Sequence, residues 1–107
     1  KPIKAKEEDI LKVHSKVHFY TVQEAAKNQE NLDSDTQTSK NSFDVALYAA
    51  GSGILAINKI LENSAKYAFC AIRPPGHHAT KDKAMGFCLF NNIAIAARYA
   101  QSKGFNK

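Results

Sequence analysis

An apolar run, Tyr67 to Ile72, empties without a break into Arg73-Pro74-Pro75-Gly76-His77-His78-Ala79, and this junction limits the possible folds more than any other stretch. Consecutive apolar residues are the pattern of strands buried on both faces of a parallel sheet, so residues 67–72 predict a parallel, central strand. Pro74 and Pro75 then fix φ and favour an extended path, and Gly76 allows a turn that a side chain would oppose. In an open α/β sheet, ligands sit beyond the carboxyl ends of the strands, which puts two adjacent imidazoles where chemistry is usually done. On an irregular loop both rings can converge on one small space and share proton transfer near pH 7. The plain alternative is a pair of exposed residues on an ordinary Pro-Pro-Gly turn.

After a polar spacer the chain continues Met85-Gly86-Phe87-Cys88-Leu89-Phe90-Asn91-Asn92. Gly86 lets backbone come close to a ligand, and Phe87 offers it a flat apolar wall. The whole stretch RPPGHHATKDKAMGFCLFNN resembles the signature of the zinc-dependent histone deacetylase family, which also contains acetylpolyamine amidohydrolases and acetoin-utilisation proteins. RPPGHHA in particular resembles the class II branch. The resemblance extends upstream through Val13-His14-Ser15, Leu32-Asp33-Ser34-Asp35-Thr36 and the segment Ser42 to Leu61, and so covers nearly the whole chain.

The resemblance implies an α/β fold, part of a three-layer α/β/α arginase/deacetylase-like architecture with a parallel sheet. Residues 1–107 would be the N-terminal portion of a single catalytic domain. It implies hydrolysis of acetyl-lysine, an acetylated polyamine or another N-acetyl amide, with Zn²⁺ as cofactor. His77 and His78 match the family's tandem pair, with His78 as general base and acid and His77 as electrostatic support. Asp35 matches the rim aspartate that holds the substrate backbone, with Asp33 second, and Gly86 and Phe87 line the substrate's path. The family's zinc ligands, an Asp-x-His and a later Asp, and its catalytic Tyr lie further downstream and are not in this sequence. The chain alone is therefore expected to lack a metal site and to be inactive, with the rest of the domain as its first partner. A non-catalytic acyl-lysine-binding module and a degenerate structural protein are the competing readings.

The net charge of +5 arises from 15 Lys and Arg against 10 Asp and Glu, dispersed along the chain with no basic cluster among exposed aromatics. That distribution argues for solvated surface and against direct nucleic-acid binding. The sequence shows neither a signal peptide nor an apolar run near the length of a membrane span, and Lys1 in place of an initiator Met suggests a processed or excised piece. Cys70 and Cys88 lack CxxC spacing and read as reduced packing residues of an intracellular protein, cytoplasmic or nuclear.

Along the rest of the chain, Glu7 to Val13 predicts a short helix, and Ser15 caps a second through about Ala26. His14 and His18 stand four apart, yet Ser15 as a cap separates them and no HExxH glutamate lies between, so they read as packed or surface histidines. Lys27 to Asn41 is a long polar loop. Ser42 is the expected N-cap of the longest helix, Phe43 to Asn63, where Gly51 and Gly53 predict tight packing against a neighbour. A last helix runs from Asn92 to Lys103 with Gly104 at C′, and Phe105-Asn106-Lys107 would lead into another strand.

Overall fold

The computed structural model describes residues 1–105, so Asn106 and Lys107, where that last strand would begin, lie outside the described residues. Four helices make up the regular structure among them: α1 (Glu7–Ile10), α2 (Lys16–Lys27), α3 (Ser42–Leu61) and α4 (Asn92–Ser102).

The helix ends follow from local chemistry. Ser15 Oγ accepts the His18 backbone N–H at 3.1 Å and so starts α2, leaving His14 outside the helix. At α4 the Asn91 side-chain oxygen accepts the Ala94 N–H at 3.1 Å, and Gly104, at φ 104°, follows the C-cap. The cap of α3 differs from expectation. Asn41 occupies the N-cap without a side-chain bond, while the Ser42 hydroxyl accepts the Ser39 N–H at 2.8 Å and so serves the preceding turn. The first helix closes at Ile10, and residues 11–13 continue as turn.

Phe90, 1% exposed, lies at the centre of the core. It stacks on Phe19 at 6.0 Å between centroids and meets Phe43 edge-on at 6.3 Å. Ile10, Val22, Leu47, Ile54 and Ile95 complete the cluster. The two glycines of α3 serve the close packing their spacing predicts. A Cβ on Gly51 would collide with the Ile3 carbonyl oxygen, where the N-terminal segment crosses the helix and Ala5 N–H donates to Leu47 O at 2.9 Å. A Cβ on Gly53 would meet the Ala96 Cβ of α4 at 3.0 Å. By length and composition α3 is also apolar enough to cross a membrane, contrary to the reading of the sequence; within this fold 33% of that apolar window is buried, and the helix packs against α4 and the N-terminal segment.

The expected central strand does not form. Residues 67–72 are neither helix nor strand, and Tyr67 and Phe69 are 88% and 92% exposed. Pairing among the described residues is limited to two isolated antiparallel bridges, Asp33 with Thr36 and Met85 with Cys88. A strand exists only by hydrogen bonding to neighbours, and parallel neighbours require crossovers with runs of their own. This chain offers one such run, and α3 and α4 pack directly on each other. Cys70, expected to be a packing residue, is exposed for the same reason, whereas Cys88 is buried as expected.

Candidate active site

The loop between residues 73 and 91 is held by two asparagine side chains at the head of α4 and by its own backbone. Asn92 Nδ2 donates to Pro74 O at 3.1 Å, and Asn91 Nδ2 donates to Ala79 O at 3.0 Å, so the residues opening α4 grip both ends of the histidine turn. Gly76 passes so close beneath them that a Cβ there would collide with the Asn92 backbone nitrogen. Ala79 N–H donates back to Gly76 O at 3.1 Å, closing a tight turn around His77 and His78.

The two imidazoles lie on this turn, exposed, with ring centroids 4.2 Å apart and planes at 47°. His78 is the more constrained. Its backbone N–H points at the Cys88 sulfur at 3.4 Å, and its ring lies on the backbone of Gly86, where a Cβ would come within 2.8 Å of His78 Cδ2. Gly86 (φ 55°) and Phe87 (φ 67°) both adopt the left-handed region and form the two-residue turn of the Met85–Cys88 bridge. Glycine accepts that conformation freely, whereas phenylalanine is strained in it. Phe87 is nonetheless 67% exposed, its ring turned outward.

Phe87 borders two openings. One is a groove of about 700 Å³ running past Pro74, Pro75, Arg73 and Leu89, and the other is a notch of about 320 Å³ shared with Ser34, Asp35 and Gln37. Asp35 and Phe87 are thus brought together across 52 positions of sequence, while His77 and His78 line neither opening. Asp33 is engaged differently, since its carboxylate accepts the Asp35 N–H at 2.9 Å in an Asx-type turn. The Thr36 hydroxyl, and after it that Asp35 amide, hold the Asp33 carboxyl below the usual carboxylate range.

His14 and His18 are the residues whose importance the sequence did not reveal. Both are 2% exposed, with rings 4.7 Å apart beside Phe90. His14 Nε2 accepts the Asn91 backbone N–H at 2.9 Å, which leaves Nδ1 to donate to Lys81 O at 3.2 Å. His18 Nε2 lies 2.9 Å from Leu89 O and donates to it. Burial, reinforced at His14 by the neighbouring His18, pushes both pKa values down, so both rings are held neutral. Their i, i+4 spacing could suit a metal, but the Ser15 cap and the missing HExxH glutamate made them packed or surface histidines in the sequence reading, and the structure shows them packed. Among the described residues no three His, Cys, Asp or Glu side chains gather as a metal would need. Two imidazoles without a carboxylate or thiolate do not make a catalytic zinc site, so the residues of this chain alone do not fit the metal.

The paired-histidine turn is fastened to the head of α4 by the Asn91 and Asn92 side chains. The chain belongs to the histone deacetylase domain family, whose description matches residues 1–107. It is 46% identical over 95 residues to a probable deacetylase of Methanothermobacter thermautotrophicus, covering 88% of this chain and 28% of that protein. It is 39% identical over 106 residues to a probable deacetylase of Archaeoglobus fulgidus, covering 99% and 30%. The crystal structure of the HDA15 HD domain superposes with a TM-score of 0.93 at 34% identity, over 97% of this chain and 30% of that one. The chain therefore spans under a third of the length of these relatives.

Proposed function

We propose that this chain is the N-terminal part of a zinc-dependent deacetylase domain that hydrolyses acetyl-lysine or a related N-acetyl amide. The observation that carries the reading is the stiffly held His77-His78 turn, with Gly86 under the His78 ring, in a chain of this family. His78 takes a proton from the attacking water as its oxygen adds to the acetamide carbonyl. It then returns that proton to the amine nitrogen as the C–N bond breaks, releasing the free amine and acetic acid, which gives up its proton to solvent as acetate. His77, against the His78 ring, supports the charge that develops there, and Asp35 anchors the substrate backbone beside Phe87. Zn²⁺, when bound, would polarise the carbonyl; its ligands come from the remainder of the domain. That remainder would also pair with residues 67–72 and complete a parallel sheet between helical layers.

The test is a complete domain made by placing residues 1–107 in the matching segment of the Archaeoglobus relative, assayed with an acetyl-lysine peptide. Turnover that falls on His78→Ala supports the reading. Tight peptide binding without turnover would instead favour an acyl-lysine-binding module.

A further inference from the structure

Thr36 is polar, yet it is 1% exposed and among the largest fully buried side chains of the chain. Its backbone closes the aspartate turn, donating to Asp33 O at 3.2 Å and accepting the Leu32 N–H at 2.8 Å. The Asp33 carboxylate, lowered in pKa first by the Thr36 side chain, accepts the Asp35 amide N–H at 2.9 Å within the same turn. The Thr36 hydroxyl oxygen accepts the Phe87 backbone N–H at 3.2 Å, across 51 residues. One hydroxyl thus joins the loop that carries Asp35 to the turn that carries Phe87. The amide it accepts belongs to the one residue of that turn that bears a conformational cost for its φ of 67°.

The consequence is geometric. Asp35 and Phe87 face each other across the small notch, and a ligand gripped by both must match their spacing. No other hydrogen bond seen among the described residues ties residues 33–36 to residues 85–88. Without it, the Phe87 amide is unpaired and the left-handed turn is free to relax. Resting on the deacetylase reading, we propose that Thr36 is a positioning residue: by clamping Phe87 to the Asp33–Asp35 turn, it sets the gap that selects peptidyl acyl-lysine over small free acetamides.

Two measurements separate this from a merely structural role. In the 107-residue chain, Thr36→Val, which keeps the shape and removes the acceptor, should raise the exchange rate of the Phe87 amide about ten-fold, with Thr36→Ser restoring protection. In the complete domain, Thr36→Val should raise KM for an acetyl-lysine peptide about ten-fold while kcat/KM for a single acetylated lysine stays unchanged, and Thr36→Ser should restore the peptide KM. Unchanged exchange at Phe87, or equal losses with both substrates, overturns the proposal while leaving the deacetylase reading intact. Failure of the unsubstituted domain to turn over either substrate overturns that reading and the selectivity assigned to Thr36 with it.

Discussion

The imidazole of His14 and the backbone amide of Asn91, 77 residues apart in sequence, meet at 2.9 Å. Through Asn91 this bond reaches Ala79, one residue beyond the histidine turn, and with His18 on Leu89 it fastens the N-terminus of α2 to the whole loop. The acceptor in that bond is a neutral ring nitrogen, so the fastening holds only while His14 is unprotonated.

Acid should therefore loosen the fold in a definite window. Both histidines titrate below their usual 6.5 when folded, so as pH falls past that value the unfolded chain binds protons that the folded chain refuses. Asp82, the carboxylate whose field reaches both rings, opposes the shift without cancelling it. The urea midpoint should drop steadily below about pH 6.5, and the drop should level off once the folded-state rings protonate. A His14→Gln/His18→Gln double variant should show a flatter midpoint-against-pH curve over that range; an unchanged slope would assign the acid sensitivity to other groups.

Gly86→Ala should damage the site twice over. Left-handed backbone costs a side-chain-bearing residue about 1–2 kcal/mol, and the added methyl meets the His78 ring at 2.8 Å. Gly104→Ala is the control, since it shares a positive φ but meets nothing within 4 Å. Denaturation should show a loss for both, whereas displacement of the His78 ring resonances should appear only with Gly86→Ala.

The glycines of α3 should also differ. Gly51→Ala drives a methyl into the Ile3 carbonyl, a backbone atom, and should cost about 1–3 kcal/mol as an overpacked site. Gly53→Ala meets the Ala96 methyl at 3.0 Å and otherwise only ordinary contacts beyond 3.4 Å, so the gain in helix propensity of about 1 kcal/mol largely offsets the contact. Equal effects on the thermal midpoint would mean that the N-terminal segment lifts away from α3.

In the complete domain, Asp35→Ala should weaken peptide substrates by about 1.5–3 kcal/mol, the worth of charge-assisted hydrogen bonds, and small acetamides less. Asp33→Ala should act on the loop itself, because its carboxylate is already engaged by Asp35 N–H and Thr36. Selective loss with Asp33→Ala alone would transfer the rim role to that residue.

His78→Ala should lower kcat of the same domain by about 10²–10⁴-fold, the range for losing a general acid or base, without lowering its zinc content. Metal analysis alongside turnover reads both halves. Loss of zinc would place His78 among the ligands.

What the sequence determined by itself is local. Ser15 and Asn91 cap helices because their side-chain oxygens reach amides three residues on, and Gly104 ends α4 because left-handed backbone is cheap only without a Cβ. The tight turn at Gly76 and the close packing at Gly51 and Gly53 were legible for similar reasons. What only the tertiary structure decided depends on partners distant in the chain. Residues 67–72 have every property of a buried strand, yet strand formation is a property of a pair, and among the described residues the run has no partner. The roles of His14, His18 and Thr36 were equally invisible, because each is defined by a backbone group 51 to 77 positions away. Spacing along the chain records only which side chains share a helix face; the fold decides which buried polar atom meets which orphaned amide.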